Sequence, residues 1–275
     1  MNTAPIGVFD SGLGGLTAVR ELRKILPGED IVYFGDTGRV PYGSRGRDTI
    51  IAYAKQDIAF LLSKQVKTIV AACGTVSSTL PPSELAGLPV GYTGVVPPTA
   101  AAAARATKNG RVGIIGTEAT ISSGQYQSAL RQISAGIQSV ANACPLFVPL
   151  VENGYFEKQN PVAALVAADY LAPIKAAGVD TLIMGCTHYP LLAGTLAGQL
   201  GGGVTLIDSG RETALALKET LAEQGLLSGR QSGGSVSYFV TDDTSRFDHL
   251  ARIFLGGYGG GAVERINIEE YRLSL

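Results

Sequence analysis

Two cysteines close two matching apolar runs, and their chemistry sets the question. The first run is Val66-Lys67-Thr68-Ile69-Val70-Ala71-Ala72-Cys73, followed by Gly74-Thr75. The second is Val179-Asp180-Thr181-Leu182-Ile183-Met184-Gly185-Cys186, followed by Thr187-His188. Each is short, apolar and β-branched, opens on a charge and a Thr, and ends on a thiol. Such runs suit buried parallel strands. Open α/β sheets bind ligands at the carboxyl ends of those strands. Two thiols presented in this way can face one substrate from two sides. The alternative is a pair of structural cysteines, since free Cys is among the most buried residue types. Cys144, before Pro145, has no comparable context and reads as core.

A cysteine works as a base only as thiolate, and a free one titrates near pH 8.5. Helix N–H groups after a strand end, or a nearby base, help it there. His188 stands two residues after Cys186 and can serve it; a half-buried, hydrogen-bonded histidine is the plainer account. Asp10-Ser11-Gly12 with Gly14-Gly15 forms a strand–turn–helix junction. It is either a tight turn with an N-cap or a place where backbone N–H groups hold a carboxylate. Its glycines do not follow G-x-G-x-x-G, and the preceding acid repels phosphate, so a nucleotide site is disfavoured. Asp36-Thr37 and Pro41-Tyr42-Gly43 occupy a comparable strand-end loop, the latter a turn by composition. Glu152 reads as a loop acid, solvated by default. Thr117 and Thr120 can donate to a substrate carboxylate, or Thr120 can simply cap the next helix.

The elements that must carry these groups alternate strand and helix. Strands are expected at residues 6–9, 31–34, 66–73, 89–92, 111–115, 179–186 and 235–240. Helices are expected at 16–26, 48–64, 99–108, 122–135, 162–177 and 211–224, with a broken one after Val76 that Pro81-Pro82 disturbs. This alternation implies parallel sheets with helices on their faces. The strand Ile6-Gly7-Val8-Phe9 also resembles Val112-Gly113-Ile114-Ile115, offset by 106 residues (6 to 112), while the cysteines are offset by 113 (73 to 186). Two features recurring in order at similar spacing suggest two similar α/β halves. The chain after Asp208-Ser209-Gly210 is too short for a third domain and can pack back on the first half.

At 275 residues the chain is long enough for two domains, and 45% hydrophobic residues supply a sizeable core. No apolar run reaches the roughly 18–20 residues of a membrane span. The start lacks a basic region followed by an apolar stretch, so no signal peptide is expected and the cytoplasm is the expected compartment. A net charge of −1 argues against a broad nucleic-acid surface. With three cysteines, two histidines and no C-x-x-C spacing, no metal site is expected.

Taken together, several segments resemble the cofactor-independent aspartate/glutamate racemase family, and within it the glutamate racemases. They are Gly7-Val8-Phe9-Asp10-Ser11-Gly12-Leu13-Gly14-Gly15, Tyr33-Phe34-Gly35-Asp36-Thr37, Pro41-Tyr42-Gly43, Ala72-Cys73-Gly74-Thr75, Leu150-Val151-Glu152, Gly185-Cys186-Thr187-His188-Tyr189-Pro190 and Asp208-Ser209. The resemblance spans nearly the whole chain. It implies two similar α/β domains with parallel sheets, related by a pseudo-twofold, and an active site in the cleft between them. Residues 1–96 plus 209–275 would form the first domain, with Cys73, and 97–208 the second, with Cys186. It further implies interconversion of L- and D-glutamate without a cofactor, a homodimer, and supply of D-glutamate for peptidoglycan.

By the same resemblance, Cys73 deprotonates D-glutamate and Cys186 L-glutamate. Asp10 assists Cys73, His188 assists Cys186, and Glu152 and Asp36 tune the site. Asp10, Ser11, Asp36, Pro41, Tyr42, Gly43, Gly74, Thr75, Thr117, Thr120, Thr187 and His188 hold substrate. One position departs from the pattern. The family usually carries Asn after its first catalytic cysteine, and here that position is Gly74. Either a backbone N–H or a neighbour replaces the lost amide, or substrate is held more loosely. Two other activities stand beside racemisation of glutamate. A related racemase, decarboxylase or isomerase of this superfamily would prefer another acid, such as a shorter dicarboxylate. A two-lobed binding module would bind ligand without exchanging its α-proton.

Overall fold

The computed structural model describes residues 2–257 and 261–273. The chain runs β1 (Ile6–Asp10), α1 (Leu16–Ile25), β2 (Ile31–Gly35), α2 (Arg47–Ser63), β3 (Thr68–Ala71), α3 (Gly74–Thr79), β4 (Gly91–Gly94) and α4 (Val96–Ala106). It continues through β5 (Arg111–Gly116), α5 (Glu118–Ser122), α6 (Gln125–Ile133), β6 (Gln138–Ala143), α7 (Phe147–Glu152), α8 (Pro161–Ala176), β7 (Thr181–Met184) and α9 (Ala193–Leu200). The last elements are β8 (Thr205–Asp208), α10 (Ser209–Glu223), β9 (Val236–Val240), α11 (Phe247–Leu255) and β10 (Val263–Arg265).

Two wholly parallel sheets result. The first has the order β10-β9-β2-β1-β3-β4 and the second β6-β5-β7-β8. The run β2-β1-β3-β4 therefore repeats as β6-β5-β7-β8. The register repeats as well: Ile6 stands opposite Thr68 as Val112 stands opposite Thr181. The likeness between the strands at Ile6 and Val112, and between the two cysteine runs, is thus a repeat of architecture. The α/β class with paired parallel sheets is as expected. After α10, β9 pairs with β2 and β10 with β9, so the end of the described chain extends the first sheet.

Each cysteine strand is buried on both faces, which accounts for its unbroken apolar run. Each is also anchored where it starts, by the charge that opens its motif. The buried Lys67 ammonium sits 2.5 Å from Glu29 and donates to the carbonyls of Leu226 and Asn2. Glu29 also accepts the Ser228 N–H at 2.7 Å. Asp180 accepts the Thr107 hydroxyl at 2.6 Å and the N–H groups of Lys108 and Asn109 at 2.7 Å each. These bonds hold its pKa down to about 2.

Several elements differ from the sequence expectation. Helix α4 begins at Val96 rather than residue 99, with Pro97 and Pro98 in its first turn, where a missing N–H costs nothing. The helix expected at 122–135 is α6 and starts only at Gln125, because Gly124 takes a left-handed conformation (φ 65°) that separates it from α5, which ends at Ser122. Strand β4 lies two residues beyond its expected place. Strands β6, β8 and β10 have no strong signal in the sequence. All three lie at sheet edges and are partly exposed, so they lack the continuous apolar runs of central strands. Glu152 ends α7 rather than standing in a loop.

Glu29→Gln would leave the Lys67 ammonium buried without its counter-charge. Removing one member of a buried pair costs about 3–5 kcal/mol. The expected outcome is a stability loss of that size in urea unfolding monitored by circular dichroism. A loss under about 1 kcal/mol would show that Lys67 finds enough solvation without Glu29.

Candidate active site

The end of β1 turns the Asp10 carboxylate back beneath α1, where it accepts the Gly12 N–H at 3.1 Å and also bonds the Gly15 N–H. The Asp10-Ser11-Gly12 turn therefore does hold a carboxylate with backbone N–H groups, and the carboxylate is its own. The Tyr33 hydroxyl fixes the same turn by donating to the Gly12 carbonyl at 2.8 Å. Asp10 is buried, and burial raises its pKa; His188, the two N–H groups and Cys73 pull the other way.

Cys73 follows β3 and caps α3. Its thiol donates to the Ser11 hydroxyl at 3.6 Å and lies within hydrogen-bonding reach of Asp10. Burial, and then the Asp10 charge, push its pKa up to about 12. Cys73 is therefore a thiol at neutral pH.

Cys186 follows β7 in the equivalent place. Its sulfur lies 3.8 Å from Nδ1 of His188, and Nε2 of the same ring lies 2.9 Å from Glu152. Burial disfavours a charged His188. The Cys186 sulfur and the Glu152 carboxylate outweigh it and raise the pKa to about 10. His188 is therefore an imidazolium at neutral pH. The Thr187 hydroxyl also contacts Nδ1 at 3.3 Å. The ring edge packs on Phe254 of α11, with centroids 5.0 Å apart.

Both thiols line one cleft of about 400 Å³. Of the residues singled out in the sequence, Asp10, Ser11, Pro41, Tyr42, Gly43, Cys73, Gly74, Thr75, Thr117, Glu152, Cys186, Thr187 and His188 line it. Asp36 and Thr120 do not. Asp36 is fully buried behind Tyr42, whose phenol donates to it; Arg39 and Thr241 bond the same carboxylate at 2.6 and 2.9 Å. Asp57 joins this cluster through Tyr42 and Arg39. Burial and then the neighbouring Asp36 push its pKa well up, against the pull of Arg39 and Tyr42. Asp36 thus supports the wall of the cleft. The Tyr42 hydroxyl is committed to that support and does not face the cleft as a free donor.

Thr120 stands behind Thr117 and meets its hydroxyl at 2.9 Å, and Thr117 meets Thr75 at 3.0 Å. This chain of hydroxyls crosses from the first-sheet side to the second. The helix cap here is Thr117, which accepts the Thr120 N–H. A second crossing joins Thr17 of α1, whose hydroxyl donates to the Thr187 carbonyl at 2.9 Å.

The cleft also has lining residues for which sequence chemistry gives no signal. Pro145, Val148 and Pro149 supply an apolar wall from α7 and the turn before it. Gly12 and Gly185 adjoin residues that the motifs do mark. Among the described residues no Lys or Arg lines the cleft, and His188 is the basic side chain that does. Among the described residues no group of three or more His, Cys, Asp and Glu is disposed to hold a metal ion. The arrangement offers two sulfurs, each with an acid–base partner, together with neutral donors from Ser11, Thr75, Thr117 and Thr187. It suits proton transfer at a small, polar, anionic molecule.

Known proteins give the same picture. The model of the Asp/Glu/Hydantoin racemase family matches residues 17–217. A glutamate racemase of Geobacter metallireducens is 44% identical over 264 residues, covering 96% of this chain and 97% of the relative. The crystal structure of glutamate racemase isoform RacE1 from Bacillus anthracis superposes with a TM-score of 0.92 at 35% identity, covering 97% and 98% of the two chains. Glutamate racemase from Francisella tularensis, solved in complex with D-glutamate, gives 0.90 at 34% identity, covering 98% and 100%. The chain belongs to the Asp/Glu/Hydantoin racemase family.

Proposed function

We propose that this protein interconverts L- and D-glutamate by a two-thiol mechanism. The observation that carries the proposal is the pairing of Cys73 and Cys186. They follow equivalent strands of a repeated fold, line one cleft, and each touches its own acid–base group. The substrate comes from the relatives, glutamate racemases matched over nearly the whole chain.

Inverting an α-carbon requires a proton to leave one face and another to arrive on the opposite face. Two fixed acid–base groups meet that need without a moving base. With L-glutamate bound, the Cys186 thiolate takes the α-proton, and the Cys73 thiol delivers its own to the other face. The product is D-glutamate, with Cys186 as thiol and Cys73 as thiolate. For D-glutamate the roles reverse. Asp10 passes protons to and from Cys73, and His188, steadied by Glu152, does the same for Cys186. A protonated Cys73 and a cationic His188 are the states that L-to-D turnover needs at its start.

Between the two transfers the α-carbon carries negative charge. Pre-organised donors and exclusion of water stabilise it. Ser11, Thr75, Thr117 and Thr187, with backbone N–H groups of Gly43 and Gly74, would hold the two carboxylates. The apolar wall of Pro145, Val148 and Pro149 would keep water out. The two halves act as domains, residues 1–96 plus 209–275 and residues 97–208. The protein works as a cytoplasmic homodimer, and its D-glutamate enters peptidoglycan. No helix among the described residues is long and apolar enough to cross a membrane.

Each enantiomer, incubated with the protein in deuterated water, should lose optical activity and gain α-deuterium. Absence of both changes would rule the proposal out. Cys73→Ser and Cys186→Ser should each lower racemisation by roughly 10²–10⁴-fold. Near-normal turnover by either variant would contradict the two-thiol scheme.

A second expectation concerns pH. The pKa of His188 is raised above its unfolded value near 6.5. Its attraction to Glu152 is therefore fully present below about pH 6.5 and is lost as pH rises through about 10. The Glu152 side chain is 43% exposed, so solvent limits the pair to about 1 kcal/mol or less. Glu152→Gln should lower the melting temperature by about 2 °C near pH 6.5 and by less as pH approaches 10. A gap that stays constant across that range would show that Glu152 acts otherwise than through the imidazolium.

A further inference from the structure

We infer that Arg39 is a positioning residue whose guanidinium holds Asp36 and Asp57 together behind Tyr42 and so fixes the Tyr42-Gly43 turn that receives substrate. The inference rests on the racemase proposal above and gives a task to the one charge of the Asp36–Gly43 loop that the mechanism does not use. Arg39 does not line the cleft. Whatever it does for the reaction passes through its neighbours.

The guanidinium is bound on every side. Nε lies 2.6 Å from Asp36, Nη2 lies 3.2 Å from Asp57, and Nη1 lies 2.5 Å from the side-chain oxygen of Gln56. Its flat face stacks on the Tyr53 ring, 4.0 Å from the centroid. The side chain is only 13% exposed. Asp36 follows β2, whereas Tyr53, Gln56 and Asp57 lie on α2, so this one group ties a strand end to a helix. Both acids also meet the Tyr42 hydroxyl, Asp57 at 3.1 Å. The Tyr42 ring packs on Tyr53 with centroids 5.3 Å apart. Carboxylates brought this close repel each other. A guanidinium fork offsets that repulsion and sets the spacing of the two acids, which the point charge of an ammonium cannot do.

The consequence reaches the cleft through the next residue. Tyr42 is buried, and Gly43 beside it lines the cleft. Gly43 also stands close to the opposite wall, where a Cβ on it would come within 2.9 Å of Thr117. The turn is therefore held from behind by the Tyr42 hydroxyl and from the front by Thr117. Loss of the guanidinium frees the back, and the Gly43 N–H loses its aim at a substrate carboxylate. That grip is made in the ground state as well as the transition state, so KM suffers more than kcat. On its outer side Arg39 borders a separate cavity of about 430 Å³, with Thr241 and Glu269 in its walls. Truncating the side chain opens the place of the guanidinium to that cavity, and so to a small cation from solution.

The test uses Arg39→Ala, Arg39→Lys and Tyr42→Phe, assayed with both enantiomers of glutamate. Arg39→Ala should raise KM about tenfold, the scale of one hydrogen bond to a charged group, with kcat changed much less. Dilute guanidinium chloride, far below denaturing concentration, should bring KM back toward the wild-type value, and the same concentration of sodium chloride should not. Arg39→Lys keeps the charge without the fork and should raise KM as well. In a Tyr42→Phe background, Arg39→Ala should add little, because both changes remove the same support. Wild-type KM in Arg39→Ala, or in Arg39→Lys if the alanine variant does not fold, would overturn the inference. So would a raised KM that guanidinium leaves in place while it raises the melting temperature, or effects of the two positions that simply add. Each of those results leaves the racemase proposal standing. A wild type that neither inverts nor exchanges glutamate in deuterated water would sink that proposal and this inference with it.

Discussion

The site depends on the seam where the two sheet-bearing halves meet. Thr17 reaches across to the carbonyl of Thr187, and Thr75 meets Thr117. These bonds join loops that follow β1, β3, β5 and β7, so the carboxyl ends of four central strands open into one cleft. Without them Cys73 and Cys186 would belong to two separate pockets, each with a thiol and half of an acid–base apparatus. Glycines along the seam let the backbones come close enough for the bonds to form. The anchors lie at the far ends of the same strands, where Lys67 and Asp180 are tied to neighbouring chain.

The repeated architecture does not give the two thiols the same surroundings. Cys73 is paired with a buried carboxylate and Cys186 with a buried imidazolium. At Cys73, burial and the negative neighbour both favour the protonated thiol. An enzyme working on both enantiomers needs one thiol protonated and the other not at the start of each turnover. The backbone is duplicated, but the strand-end loops diverge and give each thiol a different neighbour. His188 arises two residues after the second cysteine, whereas the first cysteine meets its partner across the sheet, from the neighbouring strand β1.

Much of this was legible in the residues. Buried parallel strands show as unbroken apolar runs, which is why β1, β3, β5 and β7 stand out. The matched runs ending in Cys73 and Cys186 point to two similar halves, while the strand order within each sheet is visible only in the structure. Edge strands such as β6, with the sequence Gln138-Ser139-Val140-Ala141-Asn142-Ala143, carry no such run and went unmarked. Glu152 illustrates a different limit. Nothing local distinguishes it from a solvated acid, because its bond to His188 spans 36 positions. Asp36 shows the reverse: its motif marks it as important, but burial behind Tyr42 makes it a support for the cleft wall. The apolar wall at Pro145, Val148 and Pro149 has no chemical signature and becomes visible only when the halves are brought together.

The most direct measurement is a crystal structure of this protein with glutamate bound. The expected result places the α-carbon between the two sulfurs, each about 3.5 Å away on opposite faces, with the carboxylates on the hydroxyl and N–H donors of the cleft. An α-carbon within reach of only one sulfur, or glutamate bound outside the cleft, would contradict the two-thiol account.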